Sequence, residues 1–180
     1  MMKKLDDYIK VYDGVLSSSV CEYLTLTFET SKNKESVTDE VMDFTQLNIN
    51  QHHSTFVPNL VSATREVIKM YQQDVPETQY FPLNTLALEE FRIKCYNPNT
   101  GQQFKRHVDV GDHSSARRYL AFLFYLNTVT EGGATTFDGM TIKPKRGSVL
   151  VFPPLWMFPH SGKETYSDSK FIMSTYLYYT

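Results

Sequence analysis

The chain has 180 residues, 41% of them hydrophobic and 21% charged, with a formal net charge of −2 and a pI near 6.2. That length suits one well-buried domain and is short for two, and the lack of a basic excess argues against a protein that holds nucleic acid through its phosphates. Two distant cysteines, Cys21 and Cys95, argue against a disulfide framework, and no apolar run suits a signal peptide or a membrane span, so the sequence reads as soluble and cytoplasmic.

Aromatic residues make up 14% of the chain, twelve Tyr and twelve Phe among them, which favours a strand-rich fold because such side chains suit a pleated, half-buried surface. Residues 8–16, YIKVYDGVL, read as a short strand ending near Gly14. SSSVCEYLTLTFET then reads as a helix, with Ser19 and Glu22 spaced as a capping box and Val20, Leu24 and Phe28 at helical intervals. SKNKESVTDE is polar and reads as a loop. A second helix is predicted over residues 58–74, with Leu60, Ala63, Val67, Ile68 and Tyr71 on one face.

After residue 85 the texture changes. LEEFRIKCY, RYLAFLFYL, ATTF, SVLVF and KFIMSTYLYY are short runs rich in β-branched and aromatic residues, separated by the turn-forming NPNTG, TEGG, KPKRG and SGKE. Such spacing predicts an all-β sandwich or barrel. With no linker in view, the expectation is one domain over residues 1–180, with helical support in 1–85 and a β core in 86–180. The basic KPKR cluster reads as a solvated turn, given the net charge.

The stretch RHVDVGDHSS, residues 106–115, offers four candidate metal ligands. If Phe104 to Asp109 is a strand, His107 and Asp109 project from one face, because residues two apart share a side. Asp112 and His113 are adjacent, follow Gly111 on a predicted turn, and make a poor pair for one ion. An HxD pair needs a third ligand from a distant strand. Of the histidines at 52, 53, 107, 113 and 160, His160 lies across the β-rich region, before a Gly turn and a closing strand. Two histidines and one carboxylate on one face of an octahedron leave three positions open, which suits non-haem iron oxygen chemistry. The competing reading is a solvated Asp and structural histidines.

Taken together, CYNPNTGQQFKRHVD (95–109), RYLAFLFYLN (118–127), EGGATTF (131–137), IKPKRGSVLVF (142–152), PHSG (159–162) and Lys170 resemble the prolyl 4-hydroxylase-like branch of the 2-oxoglutarate- and Fe(II)-dependent dioxygenases. The order and spacing match over roughly residues 90–180, about half the chain. The resemblance implies a mainly β (α+β) fold, a double-stranded β-helix or jelly-roll core with N-terminal supporting helices. It implies His107, Asp109 and His160 as iron ligands, and Lys170 as the cation that pairs with the distal carboxylate of 2-oxoglutarate, a task that suits a compact point charge. Tyr125 and Tyr96 match tyrosines that bind the same cosubstrate, and Glu131, Gly132, Gly133 and Gly147 match turn positions. Many prolyl 4-hydroxylases carry a Trp where this chain has Tyr176, and the region DEVMDFTQLNINQHHS diverges from the usual substrate-covering loops.

The implied cofactors are Fe(II), 2-oxoglutarate and O2, with ascorbate as a reductant. The implied reaction releases succinate and CO2 and hydroxylates an unactivated C–H. A proline in a peptide or protein is the first substrate expectation, and a free amino acid or small metabolite the second. Nucleic acid ranks third, because that branch generally uses Arg where Lys170 stands. From other classes, a jelly-roll metal- or sugar-binding module and a zinc hydrolase compete, but neither needs a buried cation ten residues past the last histidine.

Overall fold

The computed structural model describes residues 4–80 and 86–180. After a 3-10 turn at Leu5–Tyr8 come β1 (Lys10–Tyr12), α1 (Ser18–Thr30), β2 (Glu35–Thr38), β3 (Asp43–Asn48), the short α2 (Ile49–His52) and α3 (Val57–Asp74). The second half contains β4 (Leu86–Leu88), β5 (Arg92–Tyr96), β6 (Phe104–His107), β7 (Arg118–Tyr125), β8 (Thr135–Phe137), β9 (Met140–Ile142), β10 (Val149–Phe152), β11 (His160–Gly162) and β12 (Lys170–Tyr179). All the ladders are antiparallel. The larger sheet runs β1-β10-β7-β12-β5-β3-β2, with β4 beside β12, and the smaller runs β6-β11-β8-β9. This is the jelly roll, mainly β with supporting helices.

The larger sheet is covered on both faces, so its central strands read as nearly continuous apolar runs. One face packs on the helices: Leu24 and Phe28 of α1 and Leu60, Val67 and Tyr71 of α3 meet Ile93, Phe124, Val151 and Met173. The other face packs on the smaller sheet, with Tyr96, Leu123, Phe152 and Ile172 against Phe137 and Ile142. Helix α3 keeps the expected span, and its buried positions Leu60, Thr64, Val67 and Tyr71 follow the helical period.

Several expectations need correction. Residues 31–40 are not simply a loop, because β2 lies there, paired with β3 as the sheet edge. Three of the four β2 residues are exposed, so no apolar alternation marks it in the sequence. Beyond the expected strand β1, the region expected to give helical support thus also supplies β2 and β3 to the sheet. The cap of α1 is Ser17, whose Oγ accepts from Val20 N at 3.3 Å, and not Ser19. Glu22 instead meets Arg146 at 3.0 Å.

The expected strand over 104–109 ends at His107, with Asp109 on the bend beyond. His160 opens a strand, β11, rather than preceding a turn, and pairs directly with His107. Two turn glycines are sterically required. At Gly132 (φ +78°) a Cβ would stand 2.5 Å from Glu164 O, and at Gly147 (φ +79°) it would run into Leu16 O.

Candidate metal and cosubstrate site

The β6–β11 pairing builds the site. The register sets His160 opposite His107, and their rings lie 4.3 Å apart, centre to centre. Asp109, just past the end of β6, turns back between them. Its Oδ1 is 3.5 Å from His107 Nε2, and its Oδ2 is 3.6 Å from His160 Nε2. One ligand atom from each of the three residues lies within 4.8 Å of the others, and no other such cluster of three occurs among the described residues.

The imidazoles are fixed from behind. His107 Nδ1 lies 2.7 Å from Lys105 O, and His160 Nδ1 lies 3.1 Å from Phe158 O. Donation from each Nδ1–H to its carbonyl leaves the Nε2 lone pairs facing inward, the tautomer that a metal ligand needs. His107 stacks on Phe104 with 3.5 Å between centroids, and His160 sits edge-on to Phe152. His107 Nε2 and Asp109 Oδ2 are buried without any hydrogen-bond partner among the described residues. Orphaned buried polar atoms are costly, and a cation between them removes that cost. The donor set of two imidazoles and one carboxylate fits a divalent transition metal with open positions.

The electrostatics agree. Burial raises the Asp109 pKa, but the neighbouring His107 and His160 rings and the Tyr176 hydroxyl together hold it below the ordinary value. Burial lowers His160, partly opposed by Asp109. Asp109 is therefore a carboxylate and His160 a neutral imidazole, the forms that coordinate.

Lys170 stands at the deep end of the same cavity. It is 1% exposed, and its ammonium has no hydrogen bond or ion pair among the described residues, only the Tyr96 ring at 5.4 Å. Burial alone takes its pKa down to about 7. A Cβ added to Gly162 would stand 3.6 Å from Lys170 Nζ, so the glycine keeps open the space beside the cation. A deep, unpaired cation facing a metal cluster fits a molecule with an anion at each end, which describes 2-oxoglutarate.

The expected site residues do not all meet. His107, Asp109, His160, Lys170 and Tyr96 line one cavity. Tyr125 stands one layer back and donates through its hydroxyl to Thr135 Oγ1 at 2.9 Å, and it is Thr135 that faces the cavity. Asp112 closes a turn through Ser114 and Ser115; hydrogen bonds from the Ser115 backbone and then the Ser114 side chain take its pKa down to about 2. His113 is exposed on that turn, and His52 and His53 lie at the end of α2, outside the metal cluster.

Three contributors escaped the sequence reading. Tyr176 donates to Asp109 Oδ1 at 2.9 Å. Arg118 donates to Asp109 O at 3.0 Å, holds Glu89 through two nitrogens at 2.8 and 3.0 Å, and lies 4.0 Å from the Tyr176 ring centre. Lys94 lines both the inner cavity and an open groove of about 580 Å³ outside it. Strand alternation could have found two of these, since Tyr176 shares a face of β12 with Lys170, and Lys94 a face of β5 with Tyr96.

Residues 91–178 match the 2OG-Fe(II) oxygenase superfamily. No curated protein matches the sequence. Among solved structures, the chain is similar to a viral collagen prolyl hydroxylase from Paramecium bursaria Chlorella virus-1, in a 2-oxoglutarate complex. The identity is 20%, the TM-score 0.73, and 96% of this chain and 97% of that one are covered. A Trichoplax adhaerens prolyl hydroxylase bound to a hypoxia inducible factor peptide fragment gives 16% identity and a TM-score of 0.76, over 96% of this chain and 84% of that one. A Pseudomonas putida prolyl-4-hydroxylase gives 16% identity and a TM-score of 0.75, over 98% and 97% of the two chains.

Proposed function

Because residues 91–178 match the 2OG-Fe(II) oxygenase superfamily, we propose that this protein is a prolyl 4-hydroxylase-like dioxygenase acting on a proline within a peptide or protein. The observation that carries the reading is the pairing of an orphaned His107–Asp109–His160 cluster with the buried, unpartnered Lys170 in one cavity. A metal-binding module or a zinc hydrolase would need the cluster but not the cation. The Trichoplax relative was solved with a peptide fragment, and the groove of about 580 Å³ outside the metal cluster offers room for one here.

When bound, Fe(II) and 2-oxoglutarate supply the oxidative chemistry: with O2, the keto acid becomes succinate and CO2 and a substrate C–H becomes C–OH. The protein's own residues do the rest. His107, Asp109 and His160 would hold the metal, the two rings oriented by Lys105 O and Phe158 O. Lys170 would hold the distal carboxylate, and Tyr96 would line the cosubstrate between cation and metal. Tyr125 would act through Thr135, fixing that hydroxyl toward the cavity. The buried aromatic walls, Phe104 and Phe152 among them, limit water around the reacting groups. No side-chain acid or base is needed for the hydrogen abstraction.

Ascorbate would keep the iron reduced between cycles. The two free, buried cysteines favour a reducing, cytoplasmic setting, and no described helix is long and apolar enough to cross a membrane. A free amino acid or small metabolite is the second substrate reading, supported by the charged lining of the groove.

Succinate release in the presence of Fe(II), O2 and 2-oxoglutarate is the test, run against proline-rich peptides, free proline and methylated oligonucleotides. Stimulation by the peptides is expected. Turnover with the oligonucleotides alone would overturn the substrate assignment, and no succinate under any condition would overturn the oxygenase reading.

A further inference from the structure

The groove outside the metal cluster is charged, and nearly all of that charge is internally matched. Arg118 is held by Glu89, and Arg92 reaches Glu90 at 2.6 Å. Asp112 is satisfied by its own turn. Lys94 is the exception. Its ammonium has no hydrogen bond and no carboxylate within 4.0 Å among the described residues, only the rings of Phe44 at 5.1 Å and Phe104 at 5.7 Å.

Its position follows from the register. On the barrel face of β5, Tyr96 lies opposite Lys170 and Lys94 opposite Ile172, with Arg92 opposite Ser174. One pleat repeat, about 7 Å, therefore carries the strand from the deep Lys170 level to the Lys94 level, toward the mouth. Lys94 is one of a few residues that line both the inner cavity and the outer groove. A metal ion on the cluster would neutralise Asp109 and leave Lys94 as an unbalanced cation at the entrance. Glu89, the other carboxylate whose charge reaches Lys94, is already held by Arg118, and a partly buried ammonium without a close counter-charge is costly unless an arriving anion pairs with it.

Resting on the dioxygenase reading above, we propose that Lys94 is a specificity-determining residue that pairs with a carboxylate of the substrate next to the carbon to be hydroxylated. That carboxylate comes either from an acidic side chain beside the target residue of a peptide or from the α-carboxylate of a free amino acid. The two Phe rings and the aliphatic stem confine the ammonium, so that the carboxylate also sets the register of the substrate over the metal. The cosubstrate has its own cation in Lys170, one repeat deeper.

The protein loaded with Mn(II) and 2-oxoglutarate, which supports binding without turnover, is titrated calorimetrically with matched pairs. The pairs are L-proline against L-prolinamide, and proline peptides with Glu beside the proline against the same peptides with Gln. The carboxylated member of one pair should bind about tenfold more tightly, and which pair does so identifies the source. Lys94→Met should erase that preference and Lys94→Arg should keep it, with Lys94→Gln replacing the Met variant if that one fails to fold. Absence of a preference in both pairs, including failure of every member to bind, would overturn the proposal. So would a preference that survives Lys94→Met, or a matching loss of 2-oxoglutarate affinity, which would give Lys94 to the cosubstrate. Succinate release by the Fe(II) enzyme, measured separately, shows whether it is instead the dioxygenase reading that has failed.

Discussion

The two faces of the larger sheet are built from the same strands and do opposite things. On β12, Phe171, Met173 and Leu177 join the helix-covered core, while Lys170, Ser174 and Tyr176 face the barrel interior and groove. On β5, Ile93 and Cys95 go to the helices, and Lys94 and Tyr96 to the cavity. The helix face gains free energy from burial and leaves little unsatisfied. The barrel face holds two ammonium groups, the buried Lys170 and the partly buried Lys94, without a hydrogen bond or ion pair among the described residues, at a cost that the apolar face must offset. Period-2 alternation lets one strand serve both without compromise.

This contrast can be broken from either side. The largest effect is expected at the metal cluster. With anaerobic Fe(II) and 2-oxoglutarate, a weak visible charge-transfer band should appear in the wild type and vanish in His107→Ala, while thermal unfolding shows a folded protein. A band that persists would remove His107 from the ligand set.

On the opposite face, Met173→Ala should destabilise by roughly 3 kcal/mol in chemical denaturation, through lost burial and a cavity. Its charge-transfer band should be unchanged at temperatures where it stays folded. A lost band with normal stability would mean that the faces are coupled.

Lys170→Met should raise the 2-oxoglutarate requirement strongly while metal binding persists; equal loss of both would make Lys170 structural. The same variant should gain stability without ligands, on the order of 3 kcal/mol at pH 7, because it removes a buried cation. The sign follows from the folded-state pKa of about 7 against an ordinary 10.5. Across that window the unfolded chain holds the proton and the folded chain does not, so wild-type stability rises with pH. The gap between variant and wild type should therefore narrow from pH 7 to pH 10, and a constant gap would contradict a depressed pKa.

Smaller effects should follow at Tyr176 and His113. Tyr176→Phe removes the hydrogen bond to Asp109 Oδ1, and metal affinity should fall about tenfold with stability within about 1 kcal/mol. His113→Ala should leave both within measurement, and loss of metal binding there would show that the wrong histidine had been chosen from RHVDVGDHSS.

Much of this was legible along the chain. The apolar runs of β7, β10 and β12 and the spacing of α3 show in the sequence because those elements bury whole faces. The edge strand β2 was missed because an exposed edge carries no alternation, and Ser17 took the cap from Ser19 because several serines compete there. The candidate metal ligands stood out as residue types with telling spacing, and the candidate cosubstrate residues through the family resemblance. Tyr176, Arg118 and Lys94 did not, since a tyrosine, an arginine and a lysine in strands look like any others until their partners are known.

By itself, then, the sequence determined the strand-rich class, the helices and the His107, Asp109 and His160 candidates, because periodicity and residue chemistry are local properties, while Lys170 came in through the family resemblance. Only the tertiary structure decided which side chains meet. The β6–β11 register brought His160 to His107, the bend after β6 turned Asp109 between them, and Thr135 came between Tyr125 and the cavity. Pairing across strands far apart in the chain is set by the closing of the whole barrel, and no window of sequence contains it.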